Sequence, residues 1–193
     1  MQLFCIAYLP CIEVYKYIIL APFITFIFYC RGIQFLHTIA EQPLIHGDIK
    51  PANILLDWHD IPRIGDFGLA CKGPDPDHSH ITVKSIYGTK AYLAPELLRG
   101  TVSTKVDTYS FGIVLFEVAT ALRVLSNQRQ AKHLKHHVLL HKGDILDLKD
   151  KRAEGSDAIY RSLIEIGKMC VEQVPKTRPE MVSVLRKLED VTE

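Results

Sequence analysis

Two carboxylates and one amide stand in two short polar motifs in the first half of the chain. The first motif is His46–Asn53 (HGDIKPAN), and the second is Asp66–Gly68 (DFG). Carboxylate and amide oxygens suit Mg²⁺, which keeps several waters when it binds a protein. A positioned carboxylate also accepts the proton of an attacking hydroxyl. The motifs therefore indicate magnesium-dependent phosphoryl transfer, with Asp48, Asn53 and Asp66 as its functional groups.

The elements between the motifs explain how these groups could meet. A short apolar strand over 54–56, a polar turn over 57–60 and a second strand over 62–65 predict a small hairpin. This hairpin would fold Asn53 back toward Asp66. A third motif, Ala94-Pro95-Glu96, follows a loop rich in Gly, Pro and Asp. A lone DFG is a weak signal, but three motifs in this order and spacing are specific.

One predicted helix behind the motifs is apolar on nearly every side, so it should be buried. It begins after Thr104 and runs to about Thr120. The Thr104 hydroxyl and the Asp107 carboxylate three residues later could cap its first N–H groups. The other predicted elements are the end of a helix near Ile39, a loop over 71–80, a basic stretch with a surface helix over 126–152, and helices over 157–171 and 180–188.

Composition and charge exclude several classes of protein. The chain has 23 Lys and Arg against 22 Asp and Glu, which argues against a nucleic-acid protein held by bulk electrostatics and against a polybasic membrane binder. A hydrophobic content of 48% excludes wholesale disorder. Five irregularly spaced cysteines with no Cys-x-x-Cys indicate neither a zinc ribbon nor a disulfide framework. A reducing, cytoplasmic compartment fits this pattern.

Residues 1–30 differ in composition from the rest. Their only charges are Glu13 and Lys16, and residues 17–30 carry none. Three interpretations stay open. The first is a membrane span, although the apolar run is short and is interrupted by Pro22, and the second is a buried helix. The third is that the segment is not encoded by native exons, because an unpatterned run of Phe, Ile, Leu, Tyr and Cys is typical of a translated thymine-rich intron. We therefore separate residues 1–30, an apolar segment of doubtful origin, from residues 31–193.

Residues 31–193 resemble the C-terminal lobe of a eukaryotic protein kinase, on the strength of the three motifs. Lys50, and Gly88-Thr89 before Tyr92, resemble the serine/threonine-specific pattern. The stretches PLIHGDIKPANILLD, PRIGDFGL and DTYSFGIVLFEV resemble, more narrowly, Pelle and the interleukin-1-receptor-associated kinases of Toll-type signalling. The resemblance implies an α+β family fold, of which this chain would hold the mainly α C-lobe with one small β-hairpin and no N-lobe.

The resemblance also implies roles at the reacting centre. Asp48 would be the catalytic base, and Lys50 would contact the γ-phosphate of ATP. Asn53 and Asp66 would hold Mg²⁺. The substrates would be protein serine and threonine hydroxyls, and the partners would be protein substrates and signalling adaptors, with no nucleic acid and no membrane.

Other residues would act structurally or in regulation, as the resemblance implies. Phe67 and Gly68 complete the second motif, and Thr89 would shape the substrate pocket. Glu96 would pair with Arg178, and Asp107 would tie the buried helix to the backbone of the catalytic loop. Thr82 and Ser85 are candidate phosphosites. Simpler alternatives stay open: a helix cap alone for Asp107, unrelated surface charges for Glu96 and Arg178, and exposed hydroxyls for the phosphosites.

The sequence departs from the kinase pattern in two places. Gly47 precedes Asp48, where many kinases carry an arginine that receives the activation-loop phosphate. Glycine here resembles the Pelle pattern, so this departure argues against the usual switch by loop phosphorylation and not against activity. The second departure concerns the nucleotide-binding half. No Gly-x-Gly occurs anywhere, and the only lysine before Asp48 is Lys16. The ion pair between a strand lysine and a helix glutamate, which kinases need, has no evident source here. We therefore expect these 193 residues alone to be inactive; the alternative function is a catalytically dead scaffold or decoy lobe.

Two further features have competing interpretations. His133, His137 and His141 are spaced to share one helix face, which could bind zinc, but the interleaved lysines favour a solvated basic helix. Cys71, just after the second motif, is either a thiol that reacts with electrophiles or an unreactive small residue, and we favour the second interpretation.

Overall fold

A computed structural model describes residues 4–5, 22–59, 61–151 and 156–191, with side chains for all of these except residues 4, 5 and 22–24. The helices are α1 (Pro22–Thr38), α2 (Lys105–Thr120), α3 (Leu134–Leu139), α4 (Asp157–Cys170) and α5 (Met181–Glu189). The strands are β1 (Phe4–Cys5), β2 (Leu44–Ile45), β3 (Ile54–Leu56), β4 (Pro62–Ile64), β5 (Cys71–Lys72), β6 (Ile81–Thr82) and β7 (Thr101–Val102). They form three antiparallel sheets, β1-β3-β4, β2-β5 and β6-β7.

The helix-rich architecture and the predicted hairpin are confirmed. β3 and β4 pair with Ile54 opposite Ile64 and Leu56 opposite Pro62. The expectation of a single hairpin is wrong, since the described residues form two further sheets and a strand beside β3. The loop predicted over 71–80 likewise begins with β5, which pairs with β2. Strands of two residues are too short to show the alternation that identifies a strand in sequence.

α2 lies at the centre of the fold, as its apolar composition predicts. Fourteen of its sixteen residues are buried, and α4 packs along it. The predicted cap at Thr104 is wrong. Thr104 already has helical backbone angles and makes no capping bond, whereas the Ser103 hydroxyl accepts a hydrogen bond from the Lys105 N–H at 3.3 Å. The helical turn thus starts one residue earlier than the sequence pattern indicates.

α1 runs straight through the boundary proposed at Arg31. Phe26, Tyr29 and Cys30 are buried, and the helix packs against α5, where the Cys30 thiol lies 3.8 Å from the Met181 carbonyl oxygen. Residues 22–30 therefore belong to a helix, and its described side chains before Arg31 are mostly buried, which agrees with the buried helix among the three interpretations given above. The origin of residues 1–30 stays a prediction, and residues 6–21 lie outside the described part of the chain.

No helix among the described residues has both the length and the apolar character needed to cross a membrane.

Two glycines let α2 and α4 approach closely. A Cβ on Gly112 would lie 2.6 Å from the Cys170 Cβ and 3.0 Å from the Gly167 carbonyl oxygen. A Cβ on Gly167 would lie 2.6 Å from a ring carbon of Phe116. Because backbone and Cβ atoms cannot rotate away, a methyl group at Gly112 would force the helices apart.

We expect Gly112→Ala to lower the free energy of unfolding by about 1 to 3 kcal/mol, because overpacking outweighs the gain in helix propensity. Gly32→Ala in α1 is the matched control. Its Cβ would meet only the end of the flexible Ile64 side chain, at 2.9 Å. Urea unfolding of both variants measures the difference, and equal stability of the two would contradict this packing.

Glu117 joins the end of α2 to two loops. Its carboxylate is buried and accepts hydrogen bonds from the Tyr92 hydroxyl and the Val124 N–H, both at 2.7 Å. Burial raises the pKa of Glu117 to about 7, although these two hydrogen bonds act in the opposite direction. Near neutral pH the folded protein therefore holds a proton here that the unfolded chain releases.

This proton makes stability depend on pH. The pKa of Glu117 is higher in the folded than in the unfolded state. Its protonation therefore adds to the free energy of unfolding below pH 4.5, and this stabilisation is lost as the pH rises to about 7. Relative to Glu117→Gln, the wild-type protein should lose about 3 kcal/mol of unfolding free energy over this range. Chemical unfolding at several pH values measures it. The exposed Glu41→Gln should follow the wild type, and parallel curves for all three proteins would refute the assignment.

Candidate active site

The segment between β2 and β3 carries the first motif. It leaves the sheet at Ile45, turns through residues 46–50 and forms a short 3₁₀ helix over Pro51–Asn53. Gly47 has a φ of 76°, a left-handed conformation that glycine adopts without strain. At the other end, the Gly65 N–H donates to the Asn53 carbonyl oxygen at 2.9 Å. The hairpin thus brings the second motif beside the end of the first.

Asp107 of α2 holds the backbone at the start of this segment. Its carboxylate is 1% exposed and accepts hydrogen bonds from the His46 and Gly47 N–H groups, each at 2.8 Å. The His37 imidazole of α1 lies 2.9 Å from the same carboxylate. Three donors from two elements thus stabilise a charge that burial alone would disfavour. Of the two roles considered for Asp107, the contacts are those of a tie to the loop.

Asp48 lies in a polar cluster directly after this anchor. One carboxylate oxygen accepts from the Thr89 N–H at 2.9 Å, and the other lies 2.6 Å from the Lys50 ammonium. Lys50 also donates to the Thr89 hydroxyl at 2.9 Å. The amide of Asn53 donates to the Asp48 carbonyl oxygen at 2.9 Å and lies 3.4 Å from its carboxylate. Four of the residues singled out from sequence therefore share one contact network.

The charge state of Asp48 follows from these contacts. Burial by itself raises the pKa of a carboxyl group, but the hydrogen bonds from Lys50 and Thr89 and the positive charge of Lys50 outweigh it. The net effect holds the pKa of Asp48 below its ordinary value. Asp48 is therefore an anion at neutral pH, ready to accept a hydrogen bond from a hydroxyl group.

Asp66 follows Gly65, whose N–H donates to the Asn53 carbonyl oxygen, so it lies next to the end of the first motif. Its backbone is left-handed (φ 62°, ψ 72°), a conformation that costs a non-glycine residue about 1 to 2 kcal/mol. The carboxylate is exposed, and within the described part of the chain it accepts one hydrogen bond, a long one of 3.4 Å from the Gly68 N–H. Its lone pairs are thus mostly free for a ligand.

The donor set fits magnesium. Because the Asn53 amide nitrogen is engaged by Asp48, its oxygen remains the group available to a cation. Together with the Asp66 carboxylate, it offers the two oxygen ligands that Mg²⁺ takes from proteins when substrate phosphates and waters complete its shell. Among the described residues no group of three His, Cys, Asp or Glu side chains forms a metal cage.

Three side chains that support the site were not singled out from the sequence. His46 is fully buried; its ring lies 3.0 Å from the Gly65 carbonyl oxygen and packs edge-on against Phe67, with centroids 5.1 Å apart. His37 contacts Asp107, and Tyr92 contacts Glu117. His46 stands beside Asp48 in the motif, which was a usable signal. The other two pairs join residues 25 to 70 positions apart, so no local pattern shows them.

Glu96 and Arg178 form a buried bidentate ion pair at the far side of the loop. Their two nitrogen–oxygen distances are 2.5 and 2.8 Å. The guanidinium also donates to the carbonyl oxygens of Glu172 and Lys105 and covers the Tyr109 ring. This geometry excludes two unrelated surface charges. The pair fastens the loop that ends at Glu96 to the C-terminal helices.

The remaining candidates lie away from the network. Thr82 is in β6 and Ser85 follows it, and both are exposed. His133 caps α3 by accepting the Lys135 N–H, and its other nitrogen lies 2.8 Å from the Ala91 carbonyl oxygen. His133 is therefore not free to share a metal with His137. Cys71 is a half-buried free thiol whose pKa is raised by burial, which disfavours the reactive thiolate.

Comparison with known proteins agrees with this geometry. Residues 24–188 match the protein kinase domain family. The chain is 42% identical over 168 residues to the serine/threonine-protein kinase pelle of Drosophila melanogaster, and 39% identical over 176 residues to the Pelle-like serine/threonine-protein kinase pik-1 of Caenorhabditis elegans. It is 36% identical over 167 residues to the serine/threonine-protein kinase PBL36 of Arabidopsis thaliana.

In each of these three comparisons the match covers 82% of this chain, but only 34 to 36% of the relative. The chain thus spans about a third of the length of these curated relatives. The family match covers most of the chain and includes all three motifs. The chain therefore belongs to the protein kinase domain family.

Proposed function

We propose that this chain supplies the catalytic and metal-binding half of a serine/threonine kinase site, which transfers the γ-phosphate of ATP to protein hydroxyl groups. The observation that carries the proposal is the Asp48 network, in which one ionised carboxylate is shared by Lys50 and Thr89. A carboxylate fixed by a lysine and a backbone N–H, together with two oxygen groups suited to a metal, has the groups that phosphoryl transfer requires.

Each residue then has a defined task. The substrate hydroxyl donates its hydrogen bond to Asp48, which orients the oxygen toward the γ-phosphorus and takes its proton as the new O–P bond forms. The bond from the γ-phosphorus to the bridging oxygen breaks, and ADP leaves with that electron pair. Lys50, which lies 2.6 Å from Asp48, would contact the γ-phosphate and stabilise the negative charge that develops on it. Thr89 holds both groups in register.

Asn53 and Asp66 would hold Mg²⁺ in this proposal. When bound, the metal neutralises phosphate charge and fixes the triphosphate. Asn53 also fixes Asp48, because its amide nitrogen donates to the Asp48 carbonyl oxygen at 2.9 Å. The base and the metal ligand are thus coupled through one side chain. Phe67 and Gly68 shape the turn that presents Asp66, the former by packing on His46.

We further propose a cytoplasmic role in Pelle-type signalling, with protein substrates and signalling adaptors as partners. The support is the identity to pelle and pik-1, although plant kinases match at 34 to 38% as well. The thiols of Cys30, Cys71 and Cys170 are free, as a reducing compartment would keep them.

Replacement of the proposed base tests the mechanism. In a fusion that places the nucleotide-binding lobe of a serine/threonine kinase before residue 22, Asp48→Asn should lower kcat by about a thousandfold, because the amide cannot accept the proton. The KM for ATP should change little. Magnesium-dependent transfer of labelled phosphate to a protein substrate measures both.

Asp77→Asn is the matched control, since Asp77 is exposed and the substitution removes the same charge. Its kcat should stay within about twofold of the parent fusion. A fusion that folds and transfers phosphate equally well with Asp48→Asn would show that Asp48 is not the base.

The 193 residues by themselves should transfer phosphate at background rate, because they contain no Gly-x-Gly and positioning of the triphosphate needs a second set of contacts. Assay of the purified chain with Mg²⁺ and ATP checks this. Turnover in the ordinary kinase range of about 1 to 100 s⁻¹, abolished by Asp48→Asn, would contradict it. A signalling effect of the chain that survives Asp48→Asn with Asp66→Asn would favour the scaffold instead.

A further inference from the structure

A surface cavity lies beside α3, away from the Asp48 network. Its volume is about 640 Å³, within the range of small ligand sites. It lies between the residues that precede α3 and those that follow it. The side chains that matter in its lining are Lys132, His136, His137, Leu140, His141 and Lys142. We call this the α3 pocket.

The α3 pocket is positively charged. No carboxylate lines it, and within the described part of the chain neither Lys132 nor Lys142 makes an ion pair. Of the neighbouring acids, Asp144 pairs with Arg161, while Asp147 lies 3.5 Å from the His141 ring. One carboxylate at the rim does not balance two lysines. The pocket therefore attracts anions.

Arg129 adds to this charge from behind the lining. One of its terminal nitrogens donates to the carbonyl oxygens of Arg123 and Lys132, at 2.7 and 3.1 Å. Its other two guanidinium nitrogens are buried and have no hydrogen-bond partner among the described residues. Glu117, the carboxylate that acts on Arg129, is already engaged by Tyr92 and Val124. The positive charge of this region is thus only partly compensated within the fold.

An apolar surface adjoins the positive charge. Leu140 lines the pocket and is 71% exposed, and its neighbour Leu139 is 43% exposed. A free inorganic anion would gain nothing from these side chains. A peptide that carries acidic residues next to an apolar one would cover both features, since protein interfaces combine an apolar centre with a polar rim and match positive to negative surfaces.

The position of α3 favours a protein partner. The helix is braced at its N-terminal cap, where the His133 ring lies 2.8 Å from the Ala91 carbonyl oxygen. Ala91 follows the Thr89 that contacts Asp48. A protein bound at the α3 pocket therefore rests on an element that is tied directly to the loop beside the catalytic aspartate.

We propose that the α3 pocket binds an acidic, glutamate- or aspartate-rich segment of a protein partner. The carboxylates of this segment pair with Lys132 and Lys142, and an apolar side chain of it packs on Leu140. The proposal requires no phosphoryl transfer and holds for the scaffold function as well.

The test uses the purified 193-residue chain and a fluorescein-labelled, glutamate-rich peptide with one central leucine, followed by fluorescence anisotropy. We expect saturable binding that Lys132→Glu with Lys142→Glu weakens at least about tenfold. Lys176→Glu with Lys187→Glu is the matched control, because it makes the same change of net charge at two exposed lysines elsewhere. It should change the Kd by less than about twofold.

A second pair of variants tests the apolar contact. Leu140→Ser should weaken peptide binding severalfold, whereas Leu98→Ser, at another exposed leucine, should not. Asp48→Asn should bind the peptide as the wild type does, which separates this proposal from the catalytic one. The proposal would be overturned if both double lysine variants lost the same affinity for the peptide, or if a peptide with glutamine in place of glutamate bound equally well. Displacement of the peptide by inorganic phosphate or a single-stranded oligonucleotide at the peptide's concentration would also overturn it.

Discussion

The buried carboxylate of Asp107 is the interaction on which the candidate site depends. A charge that is 1% exposed would be strongly unfavourable without donors, so the helix that carries it must meet the loop that satisfies it. The two N–H groups of His46 and Gly47 meet that need, at 2.8 Å each. The reverse also holds, because the left-handed turn at Gly47 gives these amides no partner in a strand or helix. The Asp107 carboxylate and the backbone amides of His46 and Gly47 therefore hold each other in place.

The backbone held by Asp107 also positions the reacting groups, because they lie within a few residues of it in the sequence. Asp48 follows Gly47 directly, and its carboxylate is then held by Lys50 and Thr89. Two other buried acidic side chains brace the surrounding loops: Glu96 forms an ion pair with Arg178, and Glu117, whose pKa burial raises to about 7, accepts a hydrogen bond from Tyr92. In all three cases a carboxylate near or on α2 is satisfied by residues distant in sequence. The central helix therefore positions the site by charge as well as by apolar packing.

Sequence reasoning predicted the parts of this arrangement that depend on local pattern. The hairpin has a turn signal, α2 is recognisable because it is apolar on nearly every side, and the two C-terminal helices were also placed from the sequence. The two-residue strands do not, and neither does the start of α2, where the backbone became helical one residue early. Contacts such as His37 with Asp107 need the tertiary fold, since nothing in either local segment identifies the other.

Among the functional residues, too, some are shown by local sequence pattern and others only by the tertiary fold. Asp48, Asn53 and Asp66 stand out because a few residue types suit magnesium and phosphate, and their spacing is short. In the sequence the α3 pocket was visible only as a row of histidines at helical spacing, and the interleaved lysines favoured a solvated basic helix over a zinc site. The structure instead uses His133 as a helix cap and leaves lysines and an exposed leucine around the rest.

Amide hydrogen exchange at His46 and Gly47 tests the central claim most directly. If Asp107 holds these groups, both amides should exchange at least about a hundredfold more slowly than an open loop in the wild-type chain. Asp107→Asn keeps the shape but turns one acceptor into a donor, so protection should fall at one or both amides while the amides of α4 stay protected. Unprotected amides in the wild type, or unchanged protection in the variant, would contradict the account.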